Sequence, residues 1–591
     1  MFLSMSVPAV LATPTPVGDG FTVGTGTITQ TGNATNVVVD QLQSVIEWSS
    51  LDTVGGDPVD RESLNFSQGT LLNSAVLNRV SGDITHFGGD LNAPDMRIFM
   101  VNPAGIVFEA GSTINVSQLV ASGLGMTNQA FKDFIDDPVN NQMEFVGGDG
   151  EVKTAAAIHN ADSVYLIGKK VVNGYAIMAP GGVVVMAAGD EVRLFQDGSN
   201  VSVVVNSLGD GLSAPDVMNR SHINVGDGKI VLAAGDTFSR AVSNVALLNA
   251  AGGEVELQAS IVANVGGINA SRVGEDDGDG GSISLNGIDE VVVGPSPYGL
   301  SYMYADAGPN GDGGDITIQT EGKVTIDENT LTTARGGSIS GDGGTVTITC
   351  DEFEIAGDID ASPGNKINEP GKLVINSSNA IIANGANAGV VDTIYEEDIE
   401  ALSNEGTSLI VNAEEGITVK DITDGIGDAD PGVIDGRFGS IELHATGEDS
   451  AVTFADDTDT IRTSLGDIII EAGSGGIKAG SLITGKDLAD EKPTVGQIKL
   501  TTTNGGDIEA ENLIIEDGWG HAEINVKASG NLTVNGDIKV GSESAILNVP
   551  PHASAEAMIY LKAGDNIVLE GDVTANAHGL DEAEDTTKAY L

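Results

Sequence analysis

One recurring phrase constrains the fold of this chain more than any other feature. Two turn residues, mostly glycines, precede a short alternation of β-branched and polar residues, and the phrase returns every 25–33 residues from Ile230 to Val346. Intervals of this size are typical of solenoids, in which each repeat forms one coil. The longer interval of 46 residues between Val184 and Ile230 predicts two coils. The copies are Pro180–Val185, Asp227–Leu232, Gly252–Leu257, Gly280–Leu285, Gly313–Ile318 and Gly343–Ile348.

A second phrase, a Gly-Asp or Asn-Gly corner followed by another alternating run, follows the first. Strand, corner, strand and loop then make one coil, with Val, Ile and Leu inward and polar residues outward. We therefore predict an all-β fold, a right-handed parallel β-helix, with the hand set by the rule for parallel crossovers. Ile316 and Val346 should be buried in it, whereas Thr317 and Thr347 should face outward. The copies of this second phrase are Gly357–Ala361, Gly506–Ala510, Gly536–Val540 and Gly571–Ala575.

The composition supports a narrow, layered interior rather than ordinary cores. The chain has 80 glycines and 40% hydrophobic residues, but only 4% aromatic residues. Tandem immunoglobulin-like sandwiches would need aromatic anchors at ~100-residue spacing, and the only tryptophans are Trp48 and Trp519. Most phenylalanines lie between Phe21 and Phe145. Because the open end of a solenoid needs a cap, we predict that this aromatic-rich segment is the N-terminal cap, with a short helix over Thr127–Phe134.

The charge of the chain narrows the classes of partner. The formal net charge is −59, so there is no basic surface to neutralise phosphates, and we expect no nucleic-acid partner. Anionic membrane surfaces are disfavoured for the same reason. The single cysteine, Cys350, excludes an intramolecular disulfide and ends a predicted strand as a small apolar residue. These features are typical of a solvated extracellular protein.

Three short motifs stand in order within fifty residues: Leu77–Gly82, Val101–Phe108 and Leu119–Ser122. Asn102-Pro103-Ala104-Gly105 by itself indicates only a β-turn, with proline setting one torsion and glycine supplying a positive φ. Together, the three motifs resemble the secretion domain of two-partner secretion exoproteins of the filamentous haemagglutinin type. One position departs from the family pattern, because Ala104 stands where the family usually has a second Asn.

The resemblance implies how the chain leaves the cell. It implies a signal peptide, passage through the periplasm, and capture by the periplasmic POTRA domains of a dedicated outer-membrane transporter. The product would be a secreted or surface-exposed adhesin of a Gram-negative-type bacterium, with host or cell-surface glycans or proteins as further partners. The resemblance does not imply catalysis. The motif residues carried over for secretion or transporter recognition are Asn78, Arg79, Asn102, Pro103, Gly105 and Ile106.

These expectations divide the chain into five segments. The first twelve residues are apolar and end in Val10-Leu11-Ala12, like the last part of a signal peptide. The other segments are the secretion domain, two runs of β-helix repeats, and an acidic segment that interrupts the repeat. Further repeats could follow the last segment. The segments are 1–12 (signal-peptide remnant), 13–200 (secretion domain), 201–385 (repeats), 386–435 (irregular acidic loop or coil) and 436–591 (repeats).

Two other functions remain open at this point, a β-helical polysaccharide-degrading enzyme and the stalk of a toxin-delivery exoprotein. Glycoside hydrolysis needs two carboxylates about 5–10 Å apart, and Asp358 with Asp360 or Glu254 with Glu256 would offer them. We predict no enzyme, because solvated strand faces carry the same pattern. Calcium is a lesser possibility at the acidic turns Gly274–Gly281 and Gly311–Asp315, but the nine-residue period of calcium-binding repeats is missing. No resident cofactor or metal is predicted.

Overall fold

The computed structural model describes residues 13–56, 60–138, 140–159, 161–197, 200–206, 216–235, 241–272, 277–295, 300–365, 368–420, 422, 433–436, 438–485, 496–519, 521–543, 556–578 and 586–590. The predicted signal-peptide remnant, residues 1–12, lies outside them, as do residues 274–276 of the first candidate calcium turn. The chain divides into two compact units. Unit 1 comprises Met1–Ala270 and Ile283–Ile288, and unit 2 comprises Ser271–Ser282 and Asp289–Leu591.

The described residues form short strands and two helices. Up to residue 288 the elements are β1 Thr15–Val23, β2 Gly26–Thr31, β3 Ala34–Val39, β4 Gln43–Ser50, β5 Ser63–Ser67, β6 Ala75–Val80, β7 Thr85–Phe87, β8 Asp90–Val101, β9 Ile106–Phe108, β10 Thr113–Ser122, α1 Asn128–Asp136, β11 Met143–Val146, β12 Val152–Thr154, β13 Ala157–Ile158, β14 Ser163–Gly168, β15 Val171–Asn173, β16 Ile177–Met178, β17 Val183–Ala188, β18 Glu191–Asp197, β19 Asn200–Asn206, β20 Val217–Asn219, β21 Ile223–Asn224, β22 Lys229–Ala234, β23 Ala241–Asn244, β24 Leu247–Asn249, β25 Glu254–Gln258, β26 Ile261–Asn264, β27 Gly267–Asn269 and β28 Ser282–Asn286.

Beyond residue 288 the elements are β29 Glu290–Val293, β30 Ser301–Tyr304, β31 Asp315–Gln319, β32 Lys323–Ile326, β33 Thr330–Thr333, β34 Thr345–Thr349, β35 Glu352–Ile355, β36 Asp358–Asp360, β37 Gly371–Ala383, β38 Thr393–Tyr395, α2 Glu396–Glu405, β39 Thr407–Val419, β40 Val433–Asp435, β41 Ile441–Ala445, β42 Ala451–Phe454, β43 Thr460–Thr463, β44 Ile468–Ala472, β45 Gly476–Ala479, β46 Ser481–Thr484, β47 Ile498–Thr502, β48 Ile508–Ala510, β49 Leu513–Trp519, β50 His521–Lys527, β51 Leu532–Val534, β52 Ile538–Glu543, β53 Glu556–Lys562, β54 Ile567–Leu569, β55 Val573–His578 and β56 Thr586–Tyr590.

Unit 1 confirms the predicted parallel β-helix. Strands of successive coils pair in parallel on three faces, for example β17 with β22 and β25, β20 with β23 and β26, and β21 with β24 and β27. The sequence phrases predicted two strands in a coil, and the structure has a third. In unit 1 this third strand is only two or three residues long, as in β21 and β27, which is too short for an alternation to be recognised.

The prediction of two coils between Val184 and Ile230 is wrong. These two residues are direct partners on the adjacent strands β17 and β22, so one coil spans the interval. The extra residues form the antiparallel hairpin β18–β19, whose first strand also pairs with β11. A hairpin strand and a coil strand show the same alternation of side chains, which is why the pattern did not distinguish them.

A column of buried asparagine amides holds the same coils in register. Asn173 donates its side-chain amide to Asn219 at 2.9 Å, and Asn219 donates to Asn244 at 3.0 Å. Asn244 continues the column to Asn264 at 2.8 Å. All four side chains are buried, so each amide replaces its lost water with the amide of the next coil. The column crosses the coil that carries the hairpin, and the insertion therefore leaves the register unchanged.

The aromatic-rich N-terminal segment has a bulkier core than the later coils, as predicted. It starts with antiparallel pairs, β1 with β4 and β2 with β3, before parallel pairing begins. The predicted helix is confirmed as α1, which buries Phe131 and Phe134 against the sheet. The rings of Phe99 and Phe131 meet edge to face with centroids 5.1 Å apart. Helix α1 and the strands β11, β18 and β19 thus cover the outer side of the sheet.

Unit 2 repeats the parallel stacking, and the inner column that contains Ile316 runs through it without a break. Thr317 and Thr347 pair on the outer face and remain partly exposed, as predicted. Neither described helix is long and apolar enough to cross a membrane. The inner column is buried throughout and consists of Ile316, Val346, Leu373, Leu409, Ile441, Ile468, Ile498, Ile524 and Ile559.

The segment 386–435 is more regular than the expected loop or coil. Helix α2 buries Ile399 and Leu402, and β39 pairs in parallel with β37 and β41. The acidic run 396–398 is the first turn of α2, where the helix dipole favours negative charge. Residues 421 and 423–432 lie outside the described part of the chain.

The inner column of unit 2 makes a prediction about stability. Replacing Ile316 by Asp places an unpaired charge against Val346, and the free energy of unfolding should fall by about 3 kcal/mol or more. The matched change Thr317→Asp, on the outer face of the same strand, should cost less than about 1 kcal/mol. The urea midpoint, followed by far-ultraviolet circular dichroism, measures both. Equal midpoints for the two variants would show that the register is not the one described.

Candidate functional site

The first and third sequence motifs lie on β6 and β10, and the second begins at the last residue of β8, the strand between them, and continues through a turn into β9. β6 pairs with β8, and β8 pairs with β10. Arg79 stands directly beside Val101, which in turn stands directly beside Ser122. One coil spans about twenty residues in this region. Segments that are one coil apart in sequence therefore lie side by side. The structure thus brings the motifs together in one patch.

Asn78 is a buried structural residue inside the first coils. Its side-chain oxygen accepts a hydrogen bond from the indole nitrogen of Trp48 at 3.0 Å. Its amide donates to the carbonyl of Phe99 on the next strand at 3.2 Å. Both Asn78 and Trp48 are fully buried. The amide therefore allows the indole N–H to enter the core without losing its hydrogen bond.

Arg79 points to the other side of the same strand and ties the helix to the sheet. Its guanidinium pairs with Glu47 at 2.7 Å on the neighbouring strand. It also donates to the carbonyl of Met126 at 2.9 Å and to the side chain of Asn128 at 2.7 Å. Asn128 is the first residue of α1, and Thr127 caps this helix. Arg79 thus holds the start of α1 against the sheet. Its planar guanidinium offers the several donors that these contacts need.

Asn102 holds the turn at the end of β8 through both ends of its side chain. Its oxygen accepts from the backbone N–H of Ala104 at 2.9 Å, and its amide donates to the carbonyl of Asp83 at 2.8 Å. The amide also donates to the hydroxyl of Thr85 at 2.9 Å. The backbone closes the turn with a bond of 2.8 Å from the N–H of Gly105 to the carbonyl of Asn102. The expected turn is present, and it is anchored to the preceding loop.

Gly105 has the positive φ that the turn pattern predicts, +119°. A β-carbon at this position would lie 3.0 Å from the carbonyl oxygen of Glu151 on the next coil. A side chain would therefore meet both a strained backbone and a crowded neighbour. Ile106 follows as a buried residue at the start of β9, and its N–H donates to the same carbonyl of Glu151 at 2.9 Å.

A glycine-rich loop that the motif analysis missed packs against this turn. The loop is Gly147-Gly148-Asp149-Gly150, between β11 and β12. A β-carbon on Gly148 would lie 2.9 Å from the ring of Pro103, so only glycine allows this approach. The N–H of Asp149 donates to the carbonyl of Pro103 at 3.3 Å. The only sequence signal for this contact is the glycine run itself, which reads as another coil corner.

Burial separates the motif residues into two groups. Asn78, Asn102 and Ile106 are at most 1% exposed, and Gly105 is buried with them. Pro103 and Ala104 are exposed at the tip of the turn, and the Arg79 side chain is 26% exposed. In the folded chain, the buried group shapes the cap, and only the exposed group can contact another molecule.

Each carboxylate pair considered for catalysis lies on a single strand. Glu254 and Glu256 share one partner, because Lys229 lies 2.8 Å and 3.4 Å from them on the adjacent strand. Asp358 and Asp360 lie on one strand, β36, rather than on opposite walls of a groove. Within the described residues, no group of three or more His, Cys, Asp or Glu side chains is placed to hold a metal ion. Calcium at Gly311–Asp315 stays the lesser possibility that the sequence raised.

The Asn102 turn makes a prediction about the stability of the cap. Asn102→Ala removes three side-chain hydrogen bonds from a buried site and should lower the free energy of unfolding by about 2–3 kcal/mol. Ala104→Asn, which places the usual family residue at the exposed tip, should change it by less than about 0.5 kcal/mol. In a Trp519→Phe background, the fluorescence of Trp48 during urea unfolding reports on this region alone. Equal stability of the Asn102→Ala and Ala104→Asn proteins would contradict the anchoring role of Asn102.

Comparisons with known proteins show similarity to proteins of Haemophilus influenzae. No protein-family model matches the chain. The heme/hemopexin-binding protein of Haemophilus influenzae is 27% identical to it over 224 residues, which cover 36% of this chain and 23% of that protein. The match thus spans less than a quarter of that relative's length.

A solved structure is also similar, the HMW1 secretion domain of Haemophilus influenzae. It has a TM-score of 0.45 and 19% sequence identity, and the match covers 66% of this chain and 93% of that one. At this level it adds nothing to the argument from the motifs, their register and the fold. In the three motifs and their order, this chain resembles the two-partner secretion exoproteins of the filamentous haemagglutinin type, and its parallel β-helix is the fold expected from that resemblance.

Proposed function

We propose that this chain is exported by a dedicated outer-membrane transporter that captures residues 13–200 through its periplasmic POTRA domains. The observation that carries the proposal is the register of the three motifs, which meet on β6, β8 and β10 around one anchored turn. A family of dedicated transporters that captures a family of exoproteins needs a feature that these exoproteins share. A motif that determines the shape of a cap supplies such a feature even when most of its residues are buried.

In this proposal, Asn78, Asn102, Gly105 and Ile106 act by shaping the cap, and Pro103, Ala104 and Arg79 form the part that another protein can contact. The usual second Asn of the family is replaced by Ala104, which contributes only its backbone N–H to the turn. Its replacement supports the view that the turn depends on Asn102 and Gly105. The transporter then recognises the shape of the cap rather than one side chain.

The same stacking fits transport of an extended chain. Most contacts in a β-helix join neighbouring coils, so the cap can fold first and later coils can add as the chain emerges. Folding outside the cell would oppose return of the chain. The protein is then secreted or held at the surface of a Gram-negative-type bacterium after passage through the periplasm.

We assign the exported β-helix the role of an adhesin for host or cell-surface glycans or proteins. The support is the resemblance together with the regular polar outer faces, which present threonine, asparagine and carboxylates to solvent. The acidic composition, with a net charge of −59, favours neutral or basic surfaces over anionic ones.

The export proposal is tested with the double variant Asn102→Ala, Gly105→Val. It should be synthesised and should reach the periplasm, but its amount in the medium should fall at least about tenfold, because the loss of hydrogen bonds and the strain at a positive φ together cost more than about 3 kcal/mol in the cap. Immunoblots of medium and periplasm measure this, with and without the partner transporter.

Two matched proteins accompany the double variant. Ala104→Asn changes the exposed tip of the same turn and should be secreted normally. Ile316→Asp destabilises unit 2 and should still be captured by the transporter, since the motif region is intact. Normal secretion of the double variant, or secretion that needs no partner transporter, would overturn the proposal.

A further inference from the structure

Unit 2 contains a cavity where a helix takes the place of a strand. Helix α2 contacts β36 on one side and β40 on the other, on the face where β43 and β46 pair strand to strand. A helix is about 10 Å across, whereas stacked strands lie about 4.8 Å apart. The inner side chains next to α2 are therefore covered only in part. A cavity of about 300 Å³ opens at this place.

The interior of the cavity is apolar because it is lined by residues of the inner columns. Ile355 continues the column of Ile326, and Ile359 continues that of Thr332. Ile326 and Thr332 are fully buried, whereas Ile355 and Ile359 are partly exposed towards the cavity. The other apolar lining residues are Leu331, Leu373, Ile375, Ile394, Ala401 and Leu402, and Thr393 and Thr407 also line the cavity.

The mouth of the cavity is acidic. Asp358 and Asp360 reach it from β36, and Asp398 and Glu405 reach it from α2. Asp398 is half-buried and accepts a hydrogen bond of 2.8 Å from Asn387. Burial and the neighbouring charge of Asp358 raise the pKa of Asp398. A cation close to this carboxylate would stabilise its charged form.

The described residues that line the cavity include no lysine or arginine. The guanidinium of Arg335 lies nearby, 3.9 Å from Asp360, but its two closer bonds, at 2.9 Å and 3.3 Å, go to Asp306. The protein itself therefore neutralises little of the negative charge of the carboxylates at the mouth. An anionic ligand would meet like charges there, whereas a cation would meet opposite ones.

We propose that this cavity binds a small organic cation with an apolar body, an alkylammonium being the simplest example. The apolar body enters between the inner-column residues, where burial of its surface favours binding. The ammonium stays at the mouth and donates to Asp398 and the carboxylates beside it. A volume of about 300 Å³ lies at the lower end of small-molecule sites, so the ligand is small. This site is independent of the secretion motifs, which lie in unit 1.

Three probes of six carbon atoms each test the proposal on the full chain: hexylammonium, hexanol and hexanoate. Each is titrated by isothermal calorimetry. Hexylammonium should bind most tightly, and hexanoate at least about tenfold more weakly, since a charge-assisted hydrogen bond is lost and replaced by repulsion. Asp398→Asn should reduce the affinity for hexylammonium about tenfold and leave hexanol unchanged. Glu414→Gln, an exposed carboxylate on β39 that does not line the cavity, should leave both unchanged.

A second pair of variants tests the place of binding. Ala401 is exposed at the mouth, so Ala401→Trp should close it and abolish binding without entering the core. Asn404→Trp, at an exposed position of the same helix outside the cavity, should bind as the unchanged protein does. Hexanoate binding as tightly as hexylammonium, hexylammonium binding that survives Ala401→Trp, or binding of none of the probes would each overturn the proposal.

Discussion

The parallel pairing of strands in register is the constraint on which the rest of the structure depends. In each unit, equivalent residues of successive coils lie about 4.8 Å apart, so each inward side chain meets the same position of the next coil. A slip by one residue would turn every inward side chain outward. Apolar columns alone would tolerate a slip of two residues. Amide columns such as Asn173, Asn219 and Asn244 do not, because their hydrogen bonds are directional.

The same register gives the motif region its structure and explains the cavity. Arg79, Val101 and Ser122 are neighbours only because their coils are in register, and Arg79 can then reach both Glu47 and α1. Where α2 replaces a strand, the register has no strand to continue on that face. The inner residues Ile355 and Ile359 are left partly uncovered there. One rule thus accounts for both the motif region and the cavity.

The sequence predicts those parts of the structure that rest on local patterns. Alternation predicted the burial of Ile316 and Val346, and turn chemistry predicted the positive φ of Gly105. Contacts between distant segments could not be predicted, since nothing near Arg79 indicates a bond to Asn128, 49 residues away. The hairpin β18–β19 was missed because its alternation equals that of a coil. Helix α2 was missed because its acidic first turn looks like a solvated loop when its packing is unknown.

Cross-linking of cysteines introduced into the N-terminal coils tests the register most directly. Asn36, Asn65 and Asn92 form an outward column on β3, β5 and β8, joined by amide hydrogen bonds of 3.0 Å and 2.9 Å. In a Cys350→Ala background, the pairs Asn36→Cys with Asn65→Cys and Asn65→Cys with Asn92→Cys should form disulfides under mild oxidation, because adjacent coils bring the α-carbons within reach. The pair Asn36→Cys with Asn92→Cys, two coils apart, should remain reduced. Cross-linking of this last pair, or failure of both adjacent pairs, would contradict the stacking of coils that places the motifs side by side.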